Sequence, residues 1–197
     1  MTATDAGFWE RGDSEFLFDF DQFERMDQAG LFSDIQGHVE LIEGKIIQLA
    51  PTSADHGGAN ADVVFAIMTA VRALSPQPEF KVLTDATLQI GAHNAPQPDV
   101  VVVRPGKAEK YAQAEQAVLV VEISISTRGN DLTVKSRLYA EAGVPEYWVV
   151  EPESRQVSVL REPRPDGTWA STTILEGDAY VSPLFASQIH IPLSELF

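Results

Sequence analysis

Apolar and polar positions along the chain alternate between two periods, and the clearest block lies at 117–150, AVLVVEISISTRGNDLTVKSRLYAEAGVPEYWVV. Val118, Leu119, Val120 and Val121 form an unbroken apolar run, which predicts a strand covered on both faces. Glu122 ends that run. A loop rich in hydroxyls and glycine, Ser124–Asn130, leads into a helix predicted from Asp131 to Ala142, with Asn130 or Asp131 as its cap. Gly143 and Pro145 stop the helix, and Glu146–Glu151 reads as the next strand. A second apolar strand is predicted in 97–103, QPDVVVV, entered by a proline and an aspartate.

The flanking patterns fill in the rest. Phe16, Leu17, Phe20, Phe23 and Met26 recur at near-helical spacing and predict a short amphipathic helix over Phe16–Ala29, its apolar stripe toward the core. Val39–Leu49 predicts a hairpin turning at Glu43-Gly44. Val63, Val64, Ile67, Met68, Val71 and Leu74 give one apolar face to a helix over His56–Leu74, which Ser75–Pro78 ends. Phe80–Ile90 predicts one strand and Gly91–Pro96 a turn. Gln156–Arg161 pairs with Glu146–Glu151 around residues 152–155, and Trp169–Leu175 adds a late strand. This order predicts an α/β fold with a central mixed β-sheet flanked by helices. Residues 1–14 read as a flexible polar tail and 15–197 as a single domain.

Composition narrows the function classes. The chain has 197 residues, 44% hydrophobic and 22% charged, enough to bury a core. No apolar run is long enough to span a bilayer, so no membrane partner is expected. The N-terminus lacks the basic start and apolar centre of a secretory signal. The absence of cysteine removes disulfides, thiolate metal sites and cysteine nucleophiles, and fits a cytoplasmic location. A formal net charge of −15 counts against broad, sequence-blind binding to nucleic acid. Glycine-rich phosphate loops, zinc-binding H-E-x-x-H helices and G-x-S-x-G elbows are all missing from the sequence. These absences narrow the enzyme reading to a carboxylate site.

Asp99 and Glu122, on neighbouring apolar strands, would form a pair of acids. Such a pair needs water or a positive partner. It suits a hard divalent cation that keeps open water positions and offsets charge on a reacting phosphate. Asp131, Lys135 and Tyr139 are four apart and share one helix face, which brings a lysine toward the pair. Each residue alone has a plainer reading. Asp99 would be a turn residue opening a strand, Glu122 a solvated strand end, and Lys135 a surface lysine paired with Asp131. His56, at a helix start, stays open between a site role and a structural hydrogen bond. The two acids are expected to approach within reach of one shared cation, with Lys135 on the same side. Removing these side chains is expected to spare the fold, because they read as charge and not as core volume.

Taken together, ELIEG at 40–44, the P-x-S-x-x-H run at 51–56, QPDVVVV at 97–103 and the stretch 120–150 resemble the Uma-two family of restriction endonucleases, within the PD-(D/E)XK nuclease superfamily. The resemblance covers about Phe18 to Arg161. It implies a restriction-endonuclease-like fold, a Mg²⁺ or Mn²⁺ site and DNA as substrate. Asp99 matches the superfamily aspartate and Glu122 the acid of the E-x-K pair; both would hold the metal. Ser124 stands where that motif has its lysine, and Lys135 on the next helix takes the family's lysine position. Glu40 matches the hairpin acid and is a further candidate catalytic residue. His56, Ser124, Asp131 and Tyr139 are supporting candidates. Two departures concern the surroundings: Ser124-Ile125-Ser126-Thr127 replaces Ser-Pro-Ser-Thr, and Gln97 replaces a basic residue before Pro98-Asp99. Fewer basic residues weaken the case for tight DNA binding. The leading reading is a Mg²⁺-dependent endonuclease, with a homodimer compatible with cutting two strands. The alternatives are a non-catalytic interaction protein that keeps the fold and a hydrolase of another phosphorylated substrate.

Overall fold

The computed structural model describes residues 14–74, 80–106, 110–125 and 129–197, without the side chains of 129–132. Nearly all of the expected tail (1–13), the residues expected to end the second helix (75–79), the loop at 107–109 and the loop tip at 126–128 lie outside the described residues. In chain order the elements are α1 (Phe20–Gln28), β1 (His38–Ile42), β2 (Lys45–Leu49), α2 (Ala54–Ala73), β3 (Lys81–Thr84), β4 (Leu88–Gln89), β5 (Val100–Val103), β6 (Ala112–Gln113), β7 (Ala117–Ile123), α3 (Gly129–Glu141), β8 (Glu146–Glu151), β9 (Gln156–Pro163), β10 (Trp169–Glu176), β11 (Tyr180–Val181) and β12 (Ile191–Pro192).

Six of these strands make a mixed sheet in the order β10-β9-β8-β7-β5-β3. β7 and β8 are parallel and joined by α3, while their other neighbours in the sheet pair antiparallel. Every residue of β5 and β7 is buried, which is why both read as continuous apolar runs. One face of the sheet places Val100, Val102, Val121 and Trp148 against Val63 and Ile67 of α2. The other places Val101, Val103 and Val120 against Leu138 and Tyr139 of α3, with Val144 and Tyr147. The two helices therefore cover opposite faces.

The β1-β2 hairpin is a separate two-stranded sheet. It packs through Leu41, which shares a cluster with Phe20, Phe23 and Ala95. Its turn residues Glu43 and Gly44 have φ 52° and 75°, the conformation of a primed two-residue turn. A Cβ at Gly44 would sit 2.6 Å from the Cβ of Leu17. Gly44→Ala is accordingly expected to lower stability by about 1–3 kcal/mol, read from urea unfolding. An unchanged midpoint would show that Leu17 yields without cost.

Several boundaries differ from the sequence pattern; the second helix, for one, begins at Ala54, capped by Ser53, and not at His56. The first helix begins at Phe20, not Phe16. Asp19 accepts a bond from the Gln22 N–H (2.8 Å) and the Gln22 side chain accepts one from the Asp19 N–H (2.9 Å). This capping box sets the start and leaves Phe16 and Leu17 exposed before it. Phe80–Ile90 is not one strand. Asp85, with φ 48°, turns the chain between β3 and β4. The third helix begins at Gly129, so Asn130 and Asp131 lie inside its first turn and not at its cap.

Candidate active site

The register of β5 and β7 brings the two acids together. Val101 pairs with Val120 and Val100 with Val121, so one step further places Asp99 opposite Glu122. Side chains alternate along strands. Asp99 therefore follows Val101, and Glu122 follows Val120, onto the face covered by α3. Both acids line a cavity of about 520 Å³, together with Glu40, His56, Ser124 and Lys135.

Each acid is oriented by neighbours. Asp99 Oδ2 accepts the backbone N–H of Ile123 (2.7 Å), a bond across the β5–β7 seam, and faces His56 Nε2 at 3.3 Å. Glu122 Oε1 accepts the hydroxyl of Tyr139 (2.8 Å) and lies 3.2 Å from Lys135 Nζ. Tyr139 and Lys135 are one turn apart on α3, and both reach the same carboxylate. Lys135 is only 8% exposed, so it is no surface lysine. Its second partner is Glu40, at 2.9 Å, itself 1% exposed on β1. Glu40 Oε1 also accepts the backbone N–H of Gln97 (2.8 Å) and lies 3.8 Å from His38 Nε2. The lysine thus bridges the hairpin and the sheet.

Burial and charge set the protonation of this group. Burial pushes the Glu122 carboxyl up to about 7; the Lys135 charge opposes the rise, and the charges of Asp99 and Glu40 add to it. Burial also raises Glu40, but the nearby His38 ring and the charge and hydrogen bond of Lys135 outweigh it and leave Glu40 below its usual range. Burial disfavours the Lys135 ammonium, yet Glu122 and Glu40 hold it well above the ordinary lysine value. The hydrogen bond to Asp99 raises His56 against the opposing effect of burial. Its Nδ1 is buried without a hydrogen-bond partner among the described residues.

A pH dependence follows from Glu122. A carboxyl whose value rises from 4.5 to about 7 on folding binds its proton more tightly in the native state. Its stabilising contribution is complete below the unfolded value and is lost as pH rises through about 7. The melting temperature of wild type relative to Glu122→Gln is expected to fall across that window in metal-free buffer. A constant difference would show that Glu122 is ionised throughout.

The structure therefore brings together Asp99, Glu122, Lys135, Glu40 and His56, with Tyr139 behind Glu122. Ser124 lines the cavity, and its N–H donates to the Val150 carbonyl (2.8 Å). The Asp131 side chain lies outside the described residues. Sequence reasoning missed His38, Asp85 and the backbone N–H of Gln97. His38 is two residues before Glu40, so strand alternation carried the signal. Asp85 lines the cavity, and its carbonyl accepts the Gln97 side chain.

The acidic side chains of the lining are the donor type that a hard cation takes. The cavity wall carries Glu40, Glu43, Asp85, Asp99 and Glu122 against Lys45 and Lys135. No group of three or more His, Asp or Glu side chains among the described residues is placed to hold an ion by itself. Mg²⁺ is usually bound by one or two carboxylates plus waters and substrate phosphates, which a two-acid site supplies.

A family model described as "Putative restriction endonuclease" matches residues 20–194. The chain belongs to the Uma2 family. The match carries the Uma2 pattern beyond the central motifs to the C-terminal strands. A solved protein from Anabaena variabilis, described as a "putative nuclease", shares the fold with a TM-score of 0.69. The alignment covers 91% of this Uma2 chain and 97% of the other, at 23% identity. No curated protein matches the chain by sequence. No helix among the described residues is long and apolar enough to cross a membrane.

Proposed function

We propose that this Uma2 chain is a metal-dependent endonuclease that hydrolyses phosphodiester bonds in DNA. The observation that carries the reading is the pairing of Asp99 opposite Glu122, with Lys135 against Glu122 in one cavity. Asp99 and Glu122 would hold Mg²⁺ or Mn²⁺. Such an ion lowers the pKa of a water and offsets negative charge on the phosphate.

The chain's own groups do the rest. Lys135 places an ammonium where charge develops on the phosphate oxygens, and its burial keeps water from screening it. Glu40 is a positioning residue: it anchors Lys135 from the hairpin and does not need to touch the substrate. Tyr139 fixes the Oε1 edge of Glu122, and His56 with the Ile123 N–H fixes Asp99. Lys135 reaches the acids from α3, so the lysine position after Glu122 can hold Ser124 without loss of the charge.

The net charge of −15 favours a second reading, a non-catalytic interaction protein on the same fold. Supercoiled plasmid separates the two. The purified protein is expected to nick or linearise it with Mg²⁺ or Mn²⁺ and to stop with chelator. Absence of metal-dependent cleavage across DNA substrates, with no metal bound in calorimetry, would favour the second reading.

A further inference from the structure

The cavity that holds the acids also offers a wall to the rest of a substrate. Ile42, Ile47, Leu49, Ile125 and Val134 line it. Ile47 is 36% exposed, and nothing in catalysis requires an apolar side chain there. The volume, about 520 Å³, lies in the range of pockets that enclose a small molecule, about 300–1,000 Å³.

The charges of the wall point the same way. Among the described residues its lysines are Lys45 and Lys135, and both are engaged: Lys45 with Glu15 at 3.0 Å, Lys135 with Glu40 and Glu122. The lining histidines, His38 and His56, face Glu40 and Asp99. Duplex DNA is held chiefly by cations that neutralise its phosphates. Toward a phosphate backbone this wall offers among the described residues only the half-exposed Lys45, its charge offset by Glu15, in a chain of net charge −15. An unpaired nucleotide presents its base faces, which pack on apolar side chains in enclosed pockets.

Resting on the nuclease reading above, we infer that this site takes an unpaired strand or strand end, with one nucleotide seated against the Ile42–Ile47–Leu49 wall and its phosphate at Asp99 and Glu122. Duplex DNA would then be cut where it is frayed, flapped, gapped or locally unwound, as negative supercoiling unwinds a plasmid. The hairpin acts as the specificity wall.

Fluorescence anisotropy tests the inference with full-length protein and Ca²⁺, using a labelled oligothymidylate and a blunt hairpin duplex of equal nucleotide count. The single strand is expected to bind about tenfold tighter or better, and Ile47→Asp to remove most of that preference. Affinity for it is expected to fall by less than about tenfold between 50 and 200 mM salt, against about 10³–10⁵ for a protein holding six to ten phosphates. Equal or tighter duplex binding, no binding of either probe, or indifference to Ile47→Asp overturns the inference. Cleavage of the same probes in Mg²⁺ and Mn²⁺ keeps the two readings apart. Cutting without strand preference sinks the inference and leaves the nuclease. A single strand bound preferentially but never cut sinks the nuclease and leaves the ligand.

Discussion

Asp99→Ala and Glu122→Ala are each expected to reduce metal-dependent plasmid cleavage by at least about a hundredfold, because even a supporting partner of a metal site is worth 10–100-fold in affinity or activity. Each variant leaves one carboxylate where the proposed site needs two. The fold should respond differently to each change. Asp99→Ala strands the Ile123 N–H and removes the partner of His56 Nε2. Glu122→Ala strands the Tyr139 hydroxyl, a loss of about 1–3 kcal/mol, but also removes a buried carboxyl that Asp99 and Glu40 disfavour. Isothermal titration with Mn²⁺ beside the cleavage assay reads metal affinity directly. Full cleavage by Asp99→Ala, with unaltered Mn²⁺ binding, would remove Asp99 from the metal site, and the same outcome for Glu122→Ala would remove Glu122.

Lys135→Ala is expected to cost about 3–5 kcal/mol of stability, the scale for breaking a buried ion pair from one side. The sequence alone shows only charge at this position; the burial of Lys135 between two acids is why a structural cost is expected. The ammonium sits between two buried carboxylates, at 2.9 Å from Glu40 and 3.2 Å from Glu122, and its removal leaves their repulsion uncompensated. A surface lysine would cost less than about 1 kcal/mol. Because such a loss could unfold the chain and imitate a catalytic defect, the informative partner is Glu40→Gln with Lys135→Met. That double variant removes one charge of each sign and should recover much of the melting temperature while remaining inactive. Urea unfolding of both variants decides the matter. A wild-type midpoint for Lys135→Ala would contradict the bridge.

The strand–helix–strand unit was legible because its physics is local. Four consecutive apolar residues cannot face water, and a Gly-Val-Pro turn cannot continue a helix. The acid pair followed from two such strands, and Lys135 from its spacing to Tyr139. What stayed hidden was whatever depends on a partner far along the chain. Glu40 is a candidate through the family resemblance, but nothing near Lys135 announces that the two pair across 95 positions. Gln97 acts through its backbone N–H, which no side-chain pattern reveals. The turn at Asp85 escaped because Lys-Val-Leu-Thr on one side and Thr-Leu-Gln-Ile on the other both suit a strand, and a single left-handed residue divides them.

The site is built across a seam. Two of its acids belong to the central sheet, while the third rides on the β1-β2 hairpin, pinned by Lys135 and the Gln97 N–H. A nascent or partly melted chain can therefore assemble the sheet and still leave its ammonium leaning on Glu122 alone, with the pocket open on one side. Only docking of the hairpin closes the wall and aligns the cation. An undocked hairpin would therefore take the site apart while the central sheet stayed paired.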